Sequence, residues 1–275
     1  MEQQEKEGIT TFHFGLFSPF NNISHFISTR QGGISDGHFA SLNIGFHVGD
    51  DNFRVLQNRR FLSEAVGIDL MKFTFANQCH SANVAIIGDG QRGKGALEKD
   101  SALENTDGMV SNVKNICLAI QVADCVPILL YDPVQNVIAA LHAGWRGTLK
   151  KIAPEVVSKM IQNYGSRAED IYAGLGPANG PCCYEVGEDV YREARVSLVS
   201  LKDVILPGKK EGYYIFDQWT ANLKQLIDAG LKREHIEVSD TCTQCHADTF
   251  FSSRADNGVT GRFMAGIMLK KRVQG

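Results

Sequence analysis

The side chains best suited to chemistry in this sequence are His80, Cys125 and His142, each of which lies between a predicted strand and a turn. Two imidazoles and one thiolate suit Zn²⁺, which prefers nitrogen and sulfur ligands in a tetrahedron. Three protein ligands leave a fourth position open, where the ion would lower the pKa of bound water to about 7. These residue types therefore indicate a catalytic metal centre, although single histidines and cysteines are more often packed core residues.

Two of these residues are expected to meet because of a predicted hairpin. The runs 126–131 and 136–142 are apolar and rich in β-branched residues, as strands are. Asp132-Pro133 between them is a turn signal, so the two strands form an antiparallel pair. Such a hairpin would bring Cys125 close to His142.

The remaining elements predict the architecture. Helical periodicity and capping residues predict four helices, from Asp51 to Gly67, from about Pro154 to Gly165, from about Gly187 to Leu198, and from Asp217 to Gly230. Further strands are predicted at 116–122 and, more weakly, at 73–76, 83–87, 171–175, 236–239 and 262–268. Helices and strands mix without strict alternation, which favours an α+β fold over a doubly wound α/β fold. The chain shows no repeat or linker, so residues 1–275 are expected to form a single compact domain.

Composition excludes several classes of partner. The net charge of −3 provides no broad basic surface, so no nucleic-acid partner is expected. Residues 1–7 are charged and lack the apolar run of a secretory signal, and the longest apolar runs are too short to span a bilayer. We therefore expect a cytoplasmic protein with no membrane partner, in which the seven cysteines stay reduced. The sequence does not predict the oligomeric state.

The spacing of four further cysteines does not assign a role to them. Cys242 and Cys245, followed by His246, match the c-type haem attachment pattern, but that attachment belongs to exported proteins. A CxxC pair is also half of many structural zinc sites, but the sequence contains no second CxxC. Buried thiols are the favoured interpretation here, and a structural role is favoured for Cys182 and Cys183 beside their turn.

Arginines beside glycines are candidates for anion binding. Arg30 lies in a Gly-rich turn, and Arg146 lies between glycines at a predicted helix N-terminus, where backbone N–H groups and the helix dipole favour anions. Arg254 and Arg262 are further arginines, and a solvated surface role is the default for any one of them. Residues 174–177 lack the third glycine of a dinucleotide fingerprint, which argues against a nicotinamide cofactor.

A series of ordered motifs extends over nearly the whole chain. They are STRQGG at 28–33, SLN at 41–43, VGDD at 48–51, QCH at 78–80, ADCVP at 123–127, HAGWRG at 142–147, GP at 176–177, CYEV at 183–186, CT at 242–243, FFSSR at 250–254 and TGR at 260–262. On these motifs the chain resembles the YlmD/YfiH family, known as laccase-domain or polyphenol oxidase proteins and as purine nucleoside phosphorylases.

The resemblance implies a fold and a metal. The family's zinc ligands match His80, Cys125 and His142 of this sequence. Its fold is α+β, with layered mixed sheets and flanking helices, and is similar to the cysteine hydrolase fold of the necrotizing-factor toxins. The resemblance therefore implies zinc, with copper as an alternative ion, since Cu²⁺ binds most nitrogen and sulfur sites more tightly.

The resemblance also implies an activity. Family members split adenosine, inosine and methylthioadenosine with phosphate into free base and ribose 1-phosphate, and they deaminate adenosine. A nucleoside and phosphate are therefore the expected partners, and His80, Cys125 and His142 are the expected catalytic residues. We expect Arg30 and Arg146 to bind phosphate and Asn43 to contact the nucleoside, which the resemblance itself does not assign.

Three other interpretations remain open. A multicopper oxidase needs a trinuclear cluster fed by many histidines, whereas this chain has eight histidines and no His-x-His pair, so any phenol oxidation would be a weak side activity of a copper-loaded site. A thiol hydrolase would use Cys125 as nucleophile and His142 as base. A binding or scaffold protein is the third interpretation, which no repeat, coiled coil or charged tail supports.

Overall fold

The computed structural model describes residues 1–271, and no helix in that part is both long and apolar enough to cross a membrane. The strands are β1 (Glu2–Lys6), β2 (Ile9–His13), β3 (Ile23–Ser28), β4 (Phe73–Thr74), β5 (Val84–Ile86), β6 (Gly108–Ser111), β7 (Cys117–Val122), β8 (Val126–Asp132), β9 (Val137–Ala143), β10 (Tyr172–Leu175), β11 (Glu185–Gly187), β12 (Ile205–Pro207), β13 (Tyr213–Phe216), β14 (Ile236–Val238) and β15 (Phe263–Leu269). The helices are α1 (Asn52–Val66), α2 (Trp145–Leu149), α3 (Ile152–Tyr164), α4 (Glu188–Ser197) and α5 (Gln218–Asp228).

These strands form two six-stranded sheets and one small three-stranded sheet. The first sheet has the order β1-β2-β3-β15-β7-β4, the second β14-β10-β8-β9-β6-β5, and the third β11-β13-β12. Most pairs are antiparallel, while β4 with β7, β5 with β6 and β10 with β14 are parallel. The predicted α+β class with layered mixed sheets is therefore confirmed.

The two large sheets stack face to face between outer helices. Side chains from β7 and β15 of the first sheet and from β8 and β9 of the second share one buried apolar cluster. The opposite face of the second sheet packs on α3 and α5, and the opposite face of the first sheet packs on α1. Because β7, β8, β9 and β15 are buried on both faces, their sequences are almost continuously apolar.

The helix ends follow from the capping residues. The Asp51 carboxylate accepts the backbone N–H groups of Phe53 and Arg54, and α1 ends at Gly67 with φ 67°. Helix α3 ends in the same way at Gly165 with φ 69°, and Asp217 caps α5. The four predicted helices and the predicted β8–β9 hairpin are confirmed.

The sequence analysis missed the N-terminal strands and the small third sheet. Strand β1 is exposed at every position and carries Glu, Gln and Lys, so no apolar alternation marks it. The helix expected to begin near Arg146 is present as the five-residue α2, whereas strands β2, β3 and β6 were not predicted. These elements are short or polar, and their pairing with distant strands determines their conformation.

Candidate metal centre

Three turns at one end of the stacked sheets bring together His80, Cys125 and His142. The ligand atoms of these side chains, one from each, all lie within 4.8 Å of one another. Cys125 Sγ is 3.9 Å from His80 Nε2, and the two imidazole rings are 4.7 Å apart at 72°. The β8–β9 register pairs Val126 with Ala143, which places Cys125 beside the end of the strand that carries His142.

Asp107, the residue before β6, holds two of these turns together. This fully buried carboxylate accepts the backbone N–H groups of Cys79 (3.2 Å), His80 (3.0 Å) and Ser81 (2.8 Å) and the Ser81 hydroxyl (2.7 Å). It also bonds Nδ1 of His142 at 2.9 Å. Nδ1 of His142 is thereby engaged, so Nε2 is the nitrogen left for a ligand.

Sequence reasoning left the partners of the histidines open and missed Asp107. The residue has no spacing relation to His142, because the two meet through the antiparallel pairing of β6 with β9. The His142 backbone N–H also donates to the Asp107 carbonyl at 2.8 Å. Only the strand register could have predicted this contact.

The charges of the cluster favour a thiolate. Burial opposes ionisation of Cys125, but the positive charge of His142 and hydrogen bonds from His142 and His80 outweigh it and lower the thiol pKa to about 6. Burial disfavours the charged form of His142, but Cys125 and Asp107 raise its pKa to about 9. Burial also disfavours ionised Asp107, yet hydrogen bonds from His142 and Ser81 hold its pKa well below the usual range. The thiolate is the form of cysteine that binds metals.

The donor set fits a tetrahedral ion with one open position. Zn–S and Zn–N distances of about 2.3 and 2.0 Å imply a sulfur–nitrogen separation of about 3.5 Å, close to the 3.9 Å between Cys125 and His80. Gly144 allows this approach, since a Cβ there would lie 2.8 Å from Cys125 Sγ and 3.0 Å from His80 Cδ2. His80, Cys125 and His142 are therefore able to hold a zinc-class ion.

The cluster opens into a cavity of about 570 Å³. Its walls include Arg254 and Arg262, neither of which forms an ion pair within residues 1–271. Two buried lining atoms, Gln121 Oε1 and Asn179 Nδ2, have no hydrogen-bond partner in the same part of the chain. The cavity thus presents positive charge to a bound molecule.

A cavity of similar volume lies elsewhere but shows no comparable chemistry. It measures about 560 Å³ and lies against α3 and α5, where residues 197–200 cover it. Its lining includes lysines and one aspartate, but no histidine or cysteine. Because this second cavity has fewer reactive side chains, the cavity beside His80, Cys125 and His142 is the better candidate site.

One of the three expected substrate contacts is structural. Asn43 is fully buried, and its Nδ2 donates to Asp50 at 2.8 Å. Its Oδ1 accepts the backbone N–H groups of Gly45 (3.0 Å) and Arg262 (2.9 Å). Burial and these bonds give the Asn43 amide a structural role, and its expected contact with a nucleoside stays a prediction.

The two arginines expected to bind phosphate lie outside the cavity wall. Arg30 donates to the carbonyls of Ala40 (2.9 Å) and Ala247 (2.6 Å) and lies over the Phe251 ring, so its guanidinium joins two loops. The expected binding of phosphate by Arg30 stays a prediction. Arg146 is exposed and stacks on Trp145 at 4.2 Å. It is not among the lining residues, and its role in phosphate binding stays a prediction.

The residue before Cys125 is held in a left-handed conformation. Asp124 has φ 90°, and its carboxylate accepts the Thr243 hydroxyl and the Arg254 backbone N–H, both at 2.6 Å. Its carbonyl accepts the Asn179 N–H at 2.8 Å. These bonds fix the bend between β7 and β8 that presents Cys125 to the cavity.

The fold and the site together define a class: layered α+β proteins that carry a two-histidine, one-cysteine centre at the end of a β-hairpin. Residues 24–270 match the family described as "Multi-copper polyphenol oxidoreductase laccase". The chain belongs to this laccase-like family, which includes the YlmD and YfiH proteins.

Individual relatives cover nearly the whole chain. The Bacillus subtilis protein named purine nucleoside phosphorylase YlmD is 40% identical over 244 residues, which is 89% of this chain and 87% of that protein. A protein named adenosine deaminase RL5, from an unknown prokaryotic organism, is 35% identical over 88% of this chain and 93% of its own length. The crystal structure of YlmD from Geobacillus stearothermophilus superposes with a TM-score of 0.92 at 37% identity, covering 98% of both chains.

Proposed function

We propose that this chain is a metal-dependent purine nucleoside phosphorylase that also deaminates adenosine. Adenosine, inosine and methylthioadenosine are the proposed nucleosides. The observation that carries the proposal is the convergence of His80, Cys125 and His142 at the floor of a cavity with two unpaired arginines. The names of the relatives support the same reactions. The reduced state that seven free cysteines require supports a cytoplasmic location.

His80, Cys125 and His142 would hold the ion, which we take to be zinc, with copper as the alternative. When bound, it supplies a Lewis acid at neutral pH without a change of redox state. Asp107 keeps His142 in the tautomer that directs Nε2 toward the ion. The nearby positive charge of His142 favours the thiolate of Cys125 before the ion arrives.

The arginines of the cavity wall are further candidates for phosphate binding. Guanidinium groups bind phosphate oxygens in a bidentate manner, and Arg254 and Arg262 line the wall. Nη1 of Arg262 already donates to the carbonyls of Thr260 and Gly261, so Arg254 is the stronger candidate of the two. In phosphorolysis a phosphate oxygen bonds to ribose C1′ while the C1′–N9 bond breaks. The purine departs with the bonding electron pair and takes up one proton. Positive charge beside the incoming phosphate would lower the barrier to this step.

Two amides and one ring are placed to bind a purine. Gln121 Oε1 can accept from, and Asn179 Nδ2 can donate to, the polar edge of the base. Tyr184 lines the same wall, and the Arg254 guanidinium lies over its ring at 5.4 Å, so a purine that stacks there would take the place of this guanidinium. In deamination, water would replace the C6 amino group of adenosine at this site, and ammonia would leave.

A product assay tests the proposal. Adenosine with phosphate should give adenine and ribose 1-phosphate, and adenosine without phosphate should give inosine and ammonia. Cys125→Ala should abolish both reactions, whereas Cys117→Ala, which removes a buried thiol from β7, should retain them. Arg254→Ala should raise KM for phosphate more than KM for adenosine. Absence of both products from the zinc-loaded and the copper-loaded protein would refute the proposal.

A thiol hydrolase is the second candidate, and one observation favours it. Such enzymes use a nucleophile, a base and a carboxylate that orients the base. The site offers the same arrangement in Cys125, whose pKa is lowered, His142 and Asp107. Alkylation distinguishes the two functions. A metal-bound thiolate should resist iodoacetamide until a chelator is added, and rapid modification of Cys125 in the zinc-loaded protein would favour the hydrolase.

A further inference from the structure

Four of the remaining cysteines meet in a second cluster, outside the site described above. Cys182 and Cys183 lie in one turn, and Cys242 and Cys245 lie in another, about sixty residues further along the chain. All four Sγ atoms lie within 4.8 Å of one another. Sγ of Cys245 is 3.5 Å from Sγ of Cys182 and 3.4 Å from Sγ of Cys183. We call these residues the cysteine quartet.

The fold brings the two segments into register. Ala178 and Cys242 form a parallel bridge, and the Thr243 N–H donates to the Ala178 carbonyl at 2.9 Å. In the turn that follows, the N–H groups of Cys183 and Tyr184 both donate to the Gly180 carbonyl at 2.9 Å. This tight turn directs two adjacent cysteine side chains toward the same point, which an extended strand would not do.

The spacing of the sulfurs suits a single ion. With Zn–S distances of about 2.3 Å, four sulfurs at the corners of a tetrahedron lie about 3.8 Å apart. The observed separations, from 3.4 Å up to the 4.8 Å limit, bracket that value. A disulfide requires about 2.05 Å between sulfurs, and the quartet contains none in the structure.

One sulfur already accepts a backbone hydrogen bond. The Gly180 N–H donates to Cys242 Sγ at 3.3 Å. Donors of this kind stabilise a thiolate and orient its remaining lone pairs toward a metal. Gly180 is required in this position, because a Cβ there would lie 2.8 Å from the Trp219 ring and 3.3 Å from Cys242 Cβ.

We propose that Cys182, Cys183, Cys242 and Cys245 bind a second Zn²⁺ in a closed tetrathiolate site. With four protein ligands the ion has no open position, so its role is structural. The sequence analysis missed this site because a Cys-Cys pair, rather than a second CxxC, supplies the other half of the ligands. The proposal does not depend on the function proposed above.

The position of the quartet indicates what the ion stabilises. Asn179 and Tyr184, which flank Cys182 and Cys183, line the catalytic cavity. Thr243, next to Cys242, donates to the Asp124 carboxylate at 2.6 Å, and Asp124 precedes Cys125. An ion in the quartet would therefore fix one wall of the cavity and the bend that carries a ligand of the first centre.

Metal stoichiometry of the full chain tests the proposal. Protein purified with zinc should hold two ions per chain by native mass spectrometry, and Cys125→Ser should still hold one. Cys182→Ser and Cys245→Ser should each lose one ion and the corresponding thermal stability, whereas Cys117→Ala should keep both. If the first centre alone fails to bind zinc, wild type and Cys125→Ser will each hold one ion and Cys245→Ser will hold none. That result would count against the first centre and still support the quartet.

Cobalt spectroscopy and thiol alkylation give a second readout, and the alkylation arm uses wild-type protein and does not require any quartet variant to fold. Cobalt loaded into Cys125→Ser should show the intense sulfur-to-metal absorption of a tetrathiolate site, and the quartet thiols should resist alkylation until a chelator is added. Quartet thiols that react at once in zinc-saturated wild type would overturn the proposal. A wild-type mass that is two hydrogens below the mass of the fully reduced chain, with a disulfide mapped to the quartet, would also overturn the proposal.

Discussion

Asp107→Asn tests whether the buried carboxylate organises the metal centre. The substitution keeps the size of the side chain but removes its charge and turns one acceptor oxygen into a donor. The two carboxylate oxygens accept six hydrogen bonds, from three backbone N–H groups, one hydroxyl, the Cys79 thiol and His142. An asparagine has one oxygen to serve the same donors.

The magnitude follows from the donors left without an acceptor. Oδ1 receives His80 N–H and His142 Nδ1, and Oδ2 receives the other four, so either orientation of the amide leaves at least two donors unsatisfied. Each such donor costs about 1–3 kcal/mol, so the free energy of unfolding should fall by about 2–6 kcal/mol. Loss of the carboxylate behind a ligating histidine typically weakens metal binding about 10–100-fold.

The measurements are urea denaturation and competitive zinc titration against a chromophoric chelator. Asp132→Asn is the matched control, because Asp132 is equally buried but lies at the far end of the β8–β9 hairpin. Its Oδ1 accepts two backbone N–H groups, which an asparagine oxygen can also accept, and its Oδ2 has no partner within residues 1–271. If folded Asp107→Asn binds zinc as tightly as Asp132→Asn does, the role given to Asp107 is refuted.

Three further predictions concern other parts of the chain. Gly144→Ala would place a Cβ 2.8 Å from the ligating sulfur and should weaken zinc binding at least about 10-fold, while Gly88→Ala, with no atom nearer than 3.6 Å, should not. Burial, then the charge of a neighbouring histidine, lowers the pKa of His25 to about 3 from 6.5. As the pH falls, the His25 imidazole of the unfolded chain is therefore protonated before that of the folded chain. The free energy of unfolding decreases as the pH falls from 6.5 toward 3. Between pH 6.5 and 5 the loss is about 2 kcal/mol, which His25→Gln should remove from denaturation curves. Arg59→Met would leave three buried carbonyls without a donor and should cost at least about 3 kcal/mol, whereas exposed Arg60→Met should cost little in the same assay.

Local signals predicted the elements that carry strong patterns. Helix α1 could be bounded from Asp51 and Gly67 alone, because capping and a left-handed stop are local properties. The β8–β9 hairpin followed from two apolar runs and one turn, and it placed Cys125 near His142. His80 could be added only through the family resemblance, since its turn reaches the centre through the non-local contact with Asp107.

Two of the residues expected to bind substrate have internal partners that the sequence did not reveal. Gly-rich and polar motifs mark places where the backbone turns sharply, and the side chains there often satisfy the loops themselves. Arg30 and Asn43 do this, because they join their segments to the carbonyl of Ala247 and the N–H of Arg262. Residue type and spacing do not distinguish a loop-bracing arginine from a ligand-binding one, whereas the partners of its guanidinium do.

The geometry of the first centre depends on residues that bind no ion in it. Asp124 has φ 90°, a conformation that costs a non-glycine residue free energy unless its surroundings enforce it. Its two 2.6 Å hydrogen bonds, from Thr243 and from the Arg254 N–H, supply that enforcement. Thr243 lies within the quartet segment, and Arg254 lines the cavity, so these two bonds connect Asp124 both to the quartet and to the cavity wall. Cys125, the residue after Asp124, is therefore positioned by contacts from two distant segments of the chain, one of which also supplies a wall of the cavity.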